Sequence, residues 1–451
     1  MPPSVLWFRR DLRLVDHPAL LAAAGAAEVL PLFVLDPALL RPAGAPRLGY
    51  LYQALRGLDA AIGGHLVVLA GDPVEVVARV TAEVGAETVH VSADFGPYGA
   101  ARDRRVETAL AAAGRSLLRT GSPYAVSPGR LVKADGTPFR VYSPYFRAWS
   151  ASGWPGPAAA PEDVRWTDGG LADDGVPNDP DLGTTRIPAA GEAAALAAWR
   201  EFGAERLSGY AERRDAPGTV GTSRLSVHLK YGCLHPRTLL AELGEDAGAS
   251  RLRGELAWRD FYADVLYHDP ASARESLQPA MAAMAYDAGP GADERFTAWA
   301  AGRTGYPIVD AGMRQLAAEA WMHNRARMIV ASFLVKDLHI HWRRGARHFL
   351  DHLVDGDIAS NSQGWQWVAG TGTDPAPYFR VFNPTTQGRK FDPDGDYVRR
   401  YVPELRGVAG AAVHEPWRLP GGPPAGYPRP IVDHARERRE ALARYDAVRR
   451  R

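Results

Sequence analysis

Five short apolar runs in the first 120 residues, at 5–8, 29–35, 66–69, 88–91 and 116–119, constrain this chain more than any other feature. Stretches with helical periodicity lie between them, near 17–27, 50–61, 74–84 and 98–113. Strands that alternate with helices run parallel, and the helices cover both faces of the sheet they form. The first part of the chain is therefore expected to be an α/β domain built on a five-stranded parallel sheet. Such sheets bind ligands outside the carboxyl ends of their strands. Here those ends are Phe8-Arg9-Arg10-Asp11 and Leu35-Asp36-Pro37. No G-x-G-x-x-G follows the first run and there is no Walker-type loop, which argues against an ordinary dinucleotide or nucleoside triphosphate site.

Between about 151 and 190 Pro, Gly, Asp and Ala dominate and periodicity fades, the pattern of a connection between domains. From residue 192 onward the pattern is helical, with amphipathic segments at 193–202, 236–245, 251–266, 308–319 and 326–341. The expected organisation is an α/β domain over 1–130, a linker over 131–190 and an all-α domain over 191–451. The single cysteine, Cys233, excludes a disulfide framework and a cysteine-built metal site. No charged leader precedes the first strand and no apolar window is long enough to span a bilayer, so a cytoplasmic protein is expected. Against 52 acidic residues stand 53 basic ones, of which only Lys133, Lys230, Lys336 and Lys390 are lysine. A net charge of +1 rules out a chain basic all over, but not a local patch.

Four blocks carry side chains suited to chemistry. In Gly221-Thr-Ser-Arg-Leu-Ser226, small hydroxylated residues precede a helical run. That is either an anion site at a helix start or a simple cap at Thr222 or Ser223. Glu255, Trp258, Arg259 and Tyr262 share a broad helix face. A carboxylate, an indole and a guanidinium side by side could grip a nucleobase, or form an ion pair beside a half-buried Trp. From Trp321 to Arg347, Arg325, Arg327, Lys336, Arg343, Arg344 and Arg347 face only Asp337, a net of +5 that suits a polyanion or a solvated helix face. His339, His341 and His348 make no metal site on this reading, because His339 and His341, two residues apart, point to different sides of a helix. Asp355, Asp357, Asn361, Trp365 and Trp367 fall within thirteen residues of polar chain that reads as a loop, and a donor-rich heteroaromatic ligand would satisfy them.

Together with Trp7-Phe-Arg-Arg-Asp-Leu-Arg13 and the run 371–387, these blocks resemble the DNA photolyase and cryptochrome family, in the family's order and over nearly the whole chain. The nearest resemblance is to class I photolyases of cyclobutane pyrimidine dimers. The resemblance implies a Rossmann-like α/β N-terminal domain and an all-α C-terminal domain that binds FAD, active in its reduced form. It implies cofactor contacts from Tyr210, Thr222, Ser223, Arg224, Leu225, Ser226, Glu255, Trp258, Arg259, Asn324, Arg327, Asp355, Asp357 and Asn361. Glu255, Asn324, Met328 and Asn361 are the catalytic candidates, with Glu255, Trp258, Asn324 and Met328 around the lesion and Asn361 near N5 of the flavin. Arg214, Trp258, Arg325, Trp367 and Gln387 match DNA contacts, and the implied partner is UV-damaged DNA bound by a monomer.

The family's electron relay is matched by Trp365 and Trp342. Its third place falls at Tyr286, with Trp299 as the possible substitute. Asp94-Phe-Gly-Pro-Tyr-Gly99 resembles members whose antenna is 8-hydroxy-5-deazaflavin more than those using methenyltetrahydrofolate. The implied activity is light-driven repair by electron transfer from excited reduced FAD. The rival reading is a cryptochrome-type blue-light receptor; the absence of a long polar tail beyond Gln387 and the presence of Glu255 and Asn361 weigh against it.

Overall fold

The computed structural model describes residues 2–161, 163–373 and 380–450. Part of the 371–387 run, residues 374–379, thus lies outside the described residues. Five strands form one parallel sheet: β1 (Ser4–Phe8), β2 (Val29–Leu35), β3 (Val67–Ala70), β4 (Thr88–Val91) and β5 (Ser116–Arg119), in the order β3-β2-β1-β4-β5. Every residue of β1 and β2 is buried, so both read as unbroken apolar runs rather than alternating ones. The order reverses beside β1, and the carboxyl ends of β1 and β4 flank the switch point.

The 151–190 stretch is irregular, as expected, but it is tied down. Asp173 accepts from Val68 N (2.8 Å), Asp174 accepts from Ala70 N (2.8 Å), and Asp174 N donates to Val68 O (3.0 Å). Two carboxylates thereby occupy the open edge of β3, which would otherwise present unpaired backbone groups to a second chain.

Contacts divide the chain into two units. The first comprises residues 1–182, 188–208 and 223–270; the second comprises 183–187, 209–222 and 271–451. The first holds the sheet and the 22-residue helix Ala247–His268. The second is helical, around a core that includes Trp299, Phe333, Trp342, Phe349 and Trp365.

Two expectations about local structure fail here. The 326–341 segment is not one helix. Asn324–Ser332 is α-helical, Phe333–Asp337 makes a π-helical turn, and His339 has φ +54. The extra residue of a π turn rotates the faces that follow it, so the α period could not persist. His339 and His341 therefore do not lie on a helix at all: His339 sits in the turn and His341 caps the next helix, Trp342–His352. The polar stretch after Asp355 is not a loop either but the helix Ile358–Ala369. Its Gln363 donates to Ser272 Oγ (2.8 Å). Gln366 donates to Ser272 O (2.7 Å) and accepts from Leu277 N (2.8 Å). Buried amides that serve a neighbouring irregular segment look, in sequence, like loop polarity.

Candidate active site

In the second unit the site is built around two helix starts. Ala320, in the left-handed region with φ +48, ends the helix Pro307–Glu319. His323 then caps Asn324–Ser332 by accepting from Arg325 N (3.1 Å). Burial holds the His323 imidazole well below its usual pKa, at about 4, which keeps the cap neutral. Arg327, on the first turn, donates through Nε to Met322 O (2.8 Å) and through Nη2 to both oxygens of Asp355 (2.8 and 3.1 Å). Val354 N bonds Ala320 O (2.8 Å), so the Asp355 turn is fastened to the same corner. Arg327 and Asp355, both expected at the cofactor, are thus brought together.

Asp357 caps Ile358–Ala369 by accepting from Ser360 N (3.0 Å). Asn361 follows at i+4 and Trp365 at i+8, so the three lie along one stripe. Asn361 donates through Nδ2 to Ala346 O (2.9 Å) on the Trp342–His352 helix. Its amide nitrogen is committed, and its carbonyl oxygen is the acceptor end. Gly345 sits where that helix meets Trp365: a Cβ there would come within 2.1 Å of the indole. Trp342 and Trp365 are both buried, and neither indole N–H has an acceptor among the described residues.

Tyr286 packs on His341 (ring centroids 4.6 Å), and His341 on Trp342 (5.8 Å). Trp299 instead touches Trp365, edge-on at 6.2 Å, and donates to Val330 O (3.0 Å). It stands beside Trp365, expected as the first member of the relay, rather than beside Trp342's neighbour His341.

The basic block is only partly a solvated face: Arg343 and Arg347 are exposed, while other members are engaged. Arg325 pairs with Asp215 (3.0 Å), Arg344 with Asp293 (2.7 Å) and Arg347 with Asp351 (3.3 Å), while Lys336 is buried and donates to Arg380 O. Arg325 also stacks over Phe391 (4.2 Å), one helical turn from Gln387 on the helix Pro384–Phe391. Arg214 lies 4.0 Å from the same Asp215. Arg214, Arg325 and the Gln387 helix are therefore neighbours. Asn324 is exposed, and Met328 lies 3.9 Å from Arg325.

The Gly221–Ser226 block, which crosses from the second unit to the first at 222/223, is no simple cap. The helix Ser226–Tyr231 starts at Leu225, with no side-chain cap bond, and Ser223 Oγ makes only a 3.4 Å contact with Leu225 N. Arg224 has φ +54, a strained backbone position of the kind found at ligand sites. Thr222 belongs, with Tyr210, to the second unit.

On Ala247–His268, Trp258 stacks flat on Tyr142 (3.7 Å, 6°), and Glu255 stands 3.6 Å from Arg251. Arg259 spends its guanidinium on Pro123 O (2.8 Å) and Leu229 O (3.1 Å), with its carbon over Tyr124. These are structural bonds that no pattern along one helix could reveal. Asp260, fully buried, accepts from Val126 N and Trp149 Nε1 (both 3.0 Å). Burial outweighs those bonds and lifts its pKa to about 6.

At the sheet's carboxyl edge, Arg9 pairs with Asp103 (2.5 Å) and lies with Arg102 over the Trp7 ring. Tyr98 donates to Asp36 (2.5 Å). A side chain at Gly99 would come within 2.0 Å of Asp94.

The comparisons agree with this geometry. Residues 4–162 match the family model described as DNA photolyase, and residues 252–447 match the FAD binding domain of DNA photolyase. A Streptomyces griseus protein named deoxyribodipyrimidine photo-lyase is 45% identical over all of this chain and 99% of its own length. The chain belongs to the DNA photolyase family.

This photolyase-family chain is also similar to solved structures along its whole length. A class III photolyase from Agrobacterium tumefaciens superposes with a TM-score of 0.89 at 37% identity, covering all of this chain and 98% of that one. A Synechocystis cryptochrome superposes with a TM-score of 0.90 at 27% identity, covering 99% of each. Among the described residues no helix is long and apolar enough to cross a membrane.

Proposed function

We propose that the protein is a light-driven repair enzyme that splits cyclobutane pyrimidine dimers in DNA. The full-length likeness to a deoxyribodipyrimidine photo-lyase at 45% identity carries the reading. FAD fits the residues present. The Gly221–Ser226 block offers hydroxyls to a pyrophosphate, and the family resemblance assigns Tyr210, Thr222, Arg224 and Leu225 to the same cofactor. Asp355 is held in place by Arg327, and Asn361 offers a carbonyl oxygen suited to a protonated ring nitrogen.

Bound and reduced, FAD supplies under light the electron that opens the cyclobutane ring and recovers it afterwards. The chain positions the partners of that transfer. Glu255 hydrogen-bonds the dimer and favours the form carrying extra charge, and Trp258, backed by Tyr142, offers a flat face for a base. Asn324 and Met328 are the residues of the second unit that the family resemblance assigns to the lesion. Arg214, Arg325, Trp367 and Gln387 hold the DNA while the lesion is flipped out of the stack, as photolyases in general require. Trp365, Trp342 and Tyr286 relay electrons inward when the cofactor must be reduced.

For the antenna, the Asp94–Gly99 turn and Tyr98 at the sheet's carboxyl edge favour 8-hydroxy-5-deazaflavin over methenyltetrahydrofolate. Mass spectrometry of the chromophore released from native protein decides between them. The repair reading is tested by incubating purified, FAD-loaded protein with dimer-containing DNA in light and in darkness. Light-dependent loss of dimers is expected. Flavin photochemistry without any loss of dimers would favour a receptor like the cryptochrome neighbour.

A further inference from the structure

The phenol of Tyr286 ends the aromatic series Trp342–His341–Tyr286, and its oxygen is buried without a hydrogen-bond partner among the described residues. Tyr286 lines a cavity of about 10 Å³ whose polar walls are Lys336, His339 and Arg444 and whose apolar walls include Val335, Ala369 and Ala441. The volume is about that of one water, and the lining is polar enough to hold it. Ala441 and Arg444 come from the helix His434–Arg449, which buries only Ala441 and Val448. This helix is held by polar contacts: Glu437 to His339 (2.8 Å), His434 to Asp337, and Arg444 to Asp287 (2.8 Å). A second cleft of about 740 Å³ lies alongside, open to solvent, and shares His339 and Arg444 with the small cavity. A polar route thus leads from the cavity lined by Tyr286 to bulk water.

Oxidation chemistry gives the route a purpose. An indole can hold a positive charge, and among the described residues the Trp342 and Trp365 N–H groups have no acceptor to draw a proton away. A phenol that loses an electron becomes a strong acid and is stable only once its proton leaves. Resting on the reading of Tyr286 as the relay's last member, we propose that the cavity beneath His434–Arg449 is its proton exit. One water accepts the phenolic proton, and His339, backed by Glu437, takes it up. Light-excited oxidised FAD is the oxidant that leaves an indole cation at Trp342. That cation takes one electron from Tyr286 and becomes neutral. The Tyr286 O–H bond breaks, its proton passes through the water to His339 Nδ1, and a neutral phenoxyl radical remains.

His339 suits the part. Nε2 faces Glu437, which leaves Nδ1 as the acceptor, and burial lowers its pKa so that it is neutral before the event. Lys336, on the same wall, is occupied with Arg380 O.

The test is flash spectroscopy of the FAD-loaded protein in H2O and D2O, with Tyr286→Phe, His339→Asn and Ala441→Leu. Asparagine tolerates the left-handed backbone at 339, and leucine fills the cavity. Wild type is expected to form a neutral tyrosyl radical, more slowly in D2O. Tyr286→Phe should abolish it, and His339→Asn and Ala441→Leu should each leave the charge on Trp342 to return to the flavin. A tyrosyl signal that survives Tyr286→Phe overturns the reading of Tyr286. A signal lost in Tyr286→Phe but unchanged in rate in His339→Asn, which keeps the cavity intact, overturns the proton exit alone. A crystal structure gives a readout independent of photochemistry: an ordered water on the Tyr286 oxygen is expected, and a dry cavity refutes the proton exit. Equal melting temperatures and FAD content establish that each variant is folded.

Discussion

Replacing Gly345 by alanine tests whether the contact between the Trp342–His352 helix and Trp365 is as tight as described. A Cβ at 345 would lie 2.1 and 2.5 Å from two carbons of the Trp365 ring and 2.6 Å from a Leu334 methyl. Carbons rest near 3.5 Å apart, so the indole edge must recede by roughly 1.4 Å or the helix must move. Alanine gains about 1 kcal/mol over glycine in a helix interior. Overpacking costs about 1–3 kcal/mol where one wall can yield, and here two walls close on the same atom. The balance is a loss of about 2 kcal/mol. For a chain of 451 residues, with roughly 2 cal/mol/K of unfolding entropy per residue, that lowers the melting temperature by about 2 °C. The indole that moves is the one proposed to feed electrons to the flavin, so photoreduction under steady blue light should slow as well. The reasoning fails if the alanine variant melts at or above wild type and photoreduces at the wild-type rate.

Arg327→Met leaves the buried Asp355 carboxylate without its cation. Breaking a buried pair costs about 3–5 kcal/mol, and partial exposure of Arg327 reduces this to about 2 kcal/mol. Urea midpoints and FAD retention on a desalting column should both fall. Asp260 makes stability depend on pH. Its folded pKa, raised to about 6 from 3.8, means that its favourable contribution is complete below about pH 4 and lost as pH rises through 6. The stability difference between wild type and Asp260→Asn should therefore change by about 3 kcal/mol between pH 4 and 7, and a flat difference contradicts the assignment. Affinity for dimer-containing DNA should fall steeply with salt, and Arg214→Gln should reduce that slope by about one contact. An unchanged slope removes Arg214 from the interface.

The sheet was legible because β1 and β2 are buried on both faces and their residues have no second purpose. The Asp355–Trp367 block was legible as a site and illegible as a helix. Gln363 and Gln366 are interior residues whose polarity answers the Ser272 hydroxyl and the backbone of residues 272–277, about ninety positions away. The basic block was legible in its charge but not in its partners. Asp215, Asp293 and the Arg380 carbonyl neutralise or engage it, and none is a sequence neighbour. The break at His339 follows a π turn in Phe-Leu-Val-Lys-Asp, residues that continue an α-helix equally well. Arg259 was assigned toward a ligand because its spacing matches Glu255 and Trp258, whereas its donors meet the carbonyls of Pro123 and Leu229.

The chain passes between its two units at 182/183, 187/188, 208/209, 222/223 and 270/271. During synthesis every part of the first unit has been made by residue 270, while the second has only the short pieces 183–187 and 209–222. The sheet unit can fold on the ribosome as soon as residue 270 has emerged. The flavin-side helices must then assemble on strands of polypeptide already anchored at both ends. Expressing the halves as separate proteins cut near residue 190 would sever that order, since residues 191–208 and 223–270 would be made without the sheet they pack with.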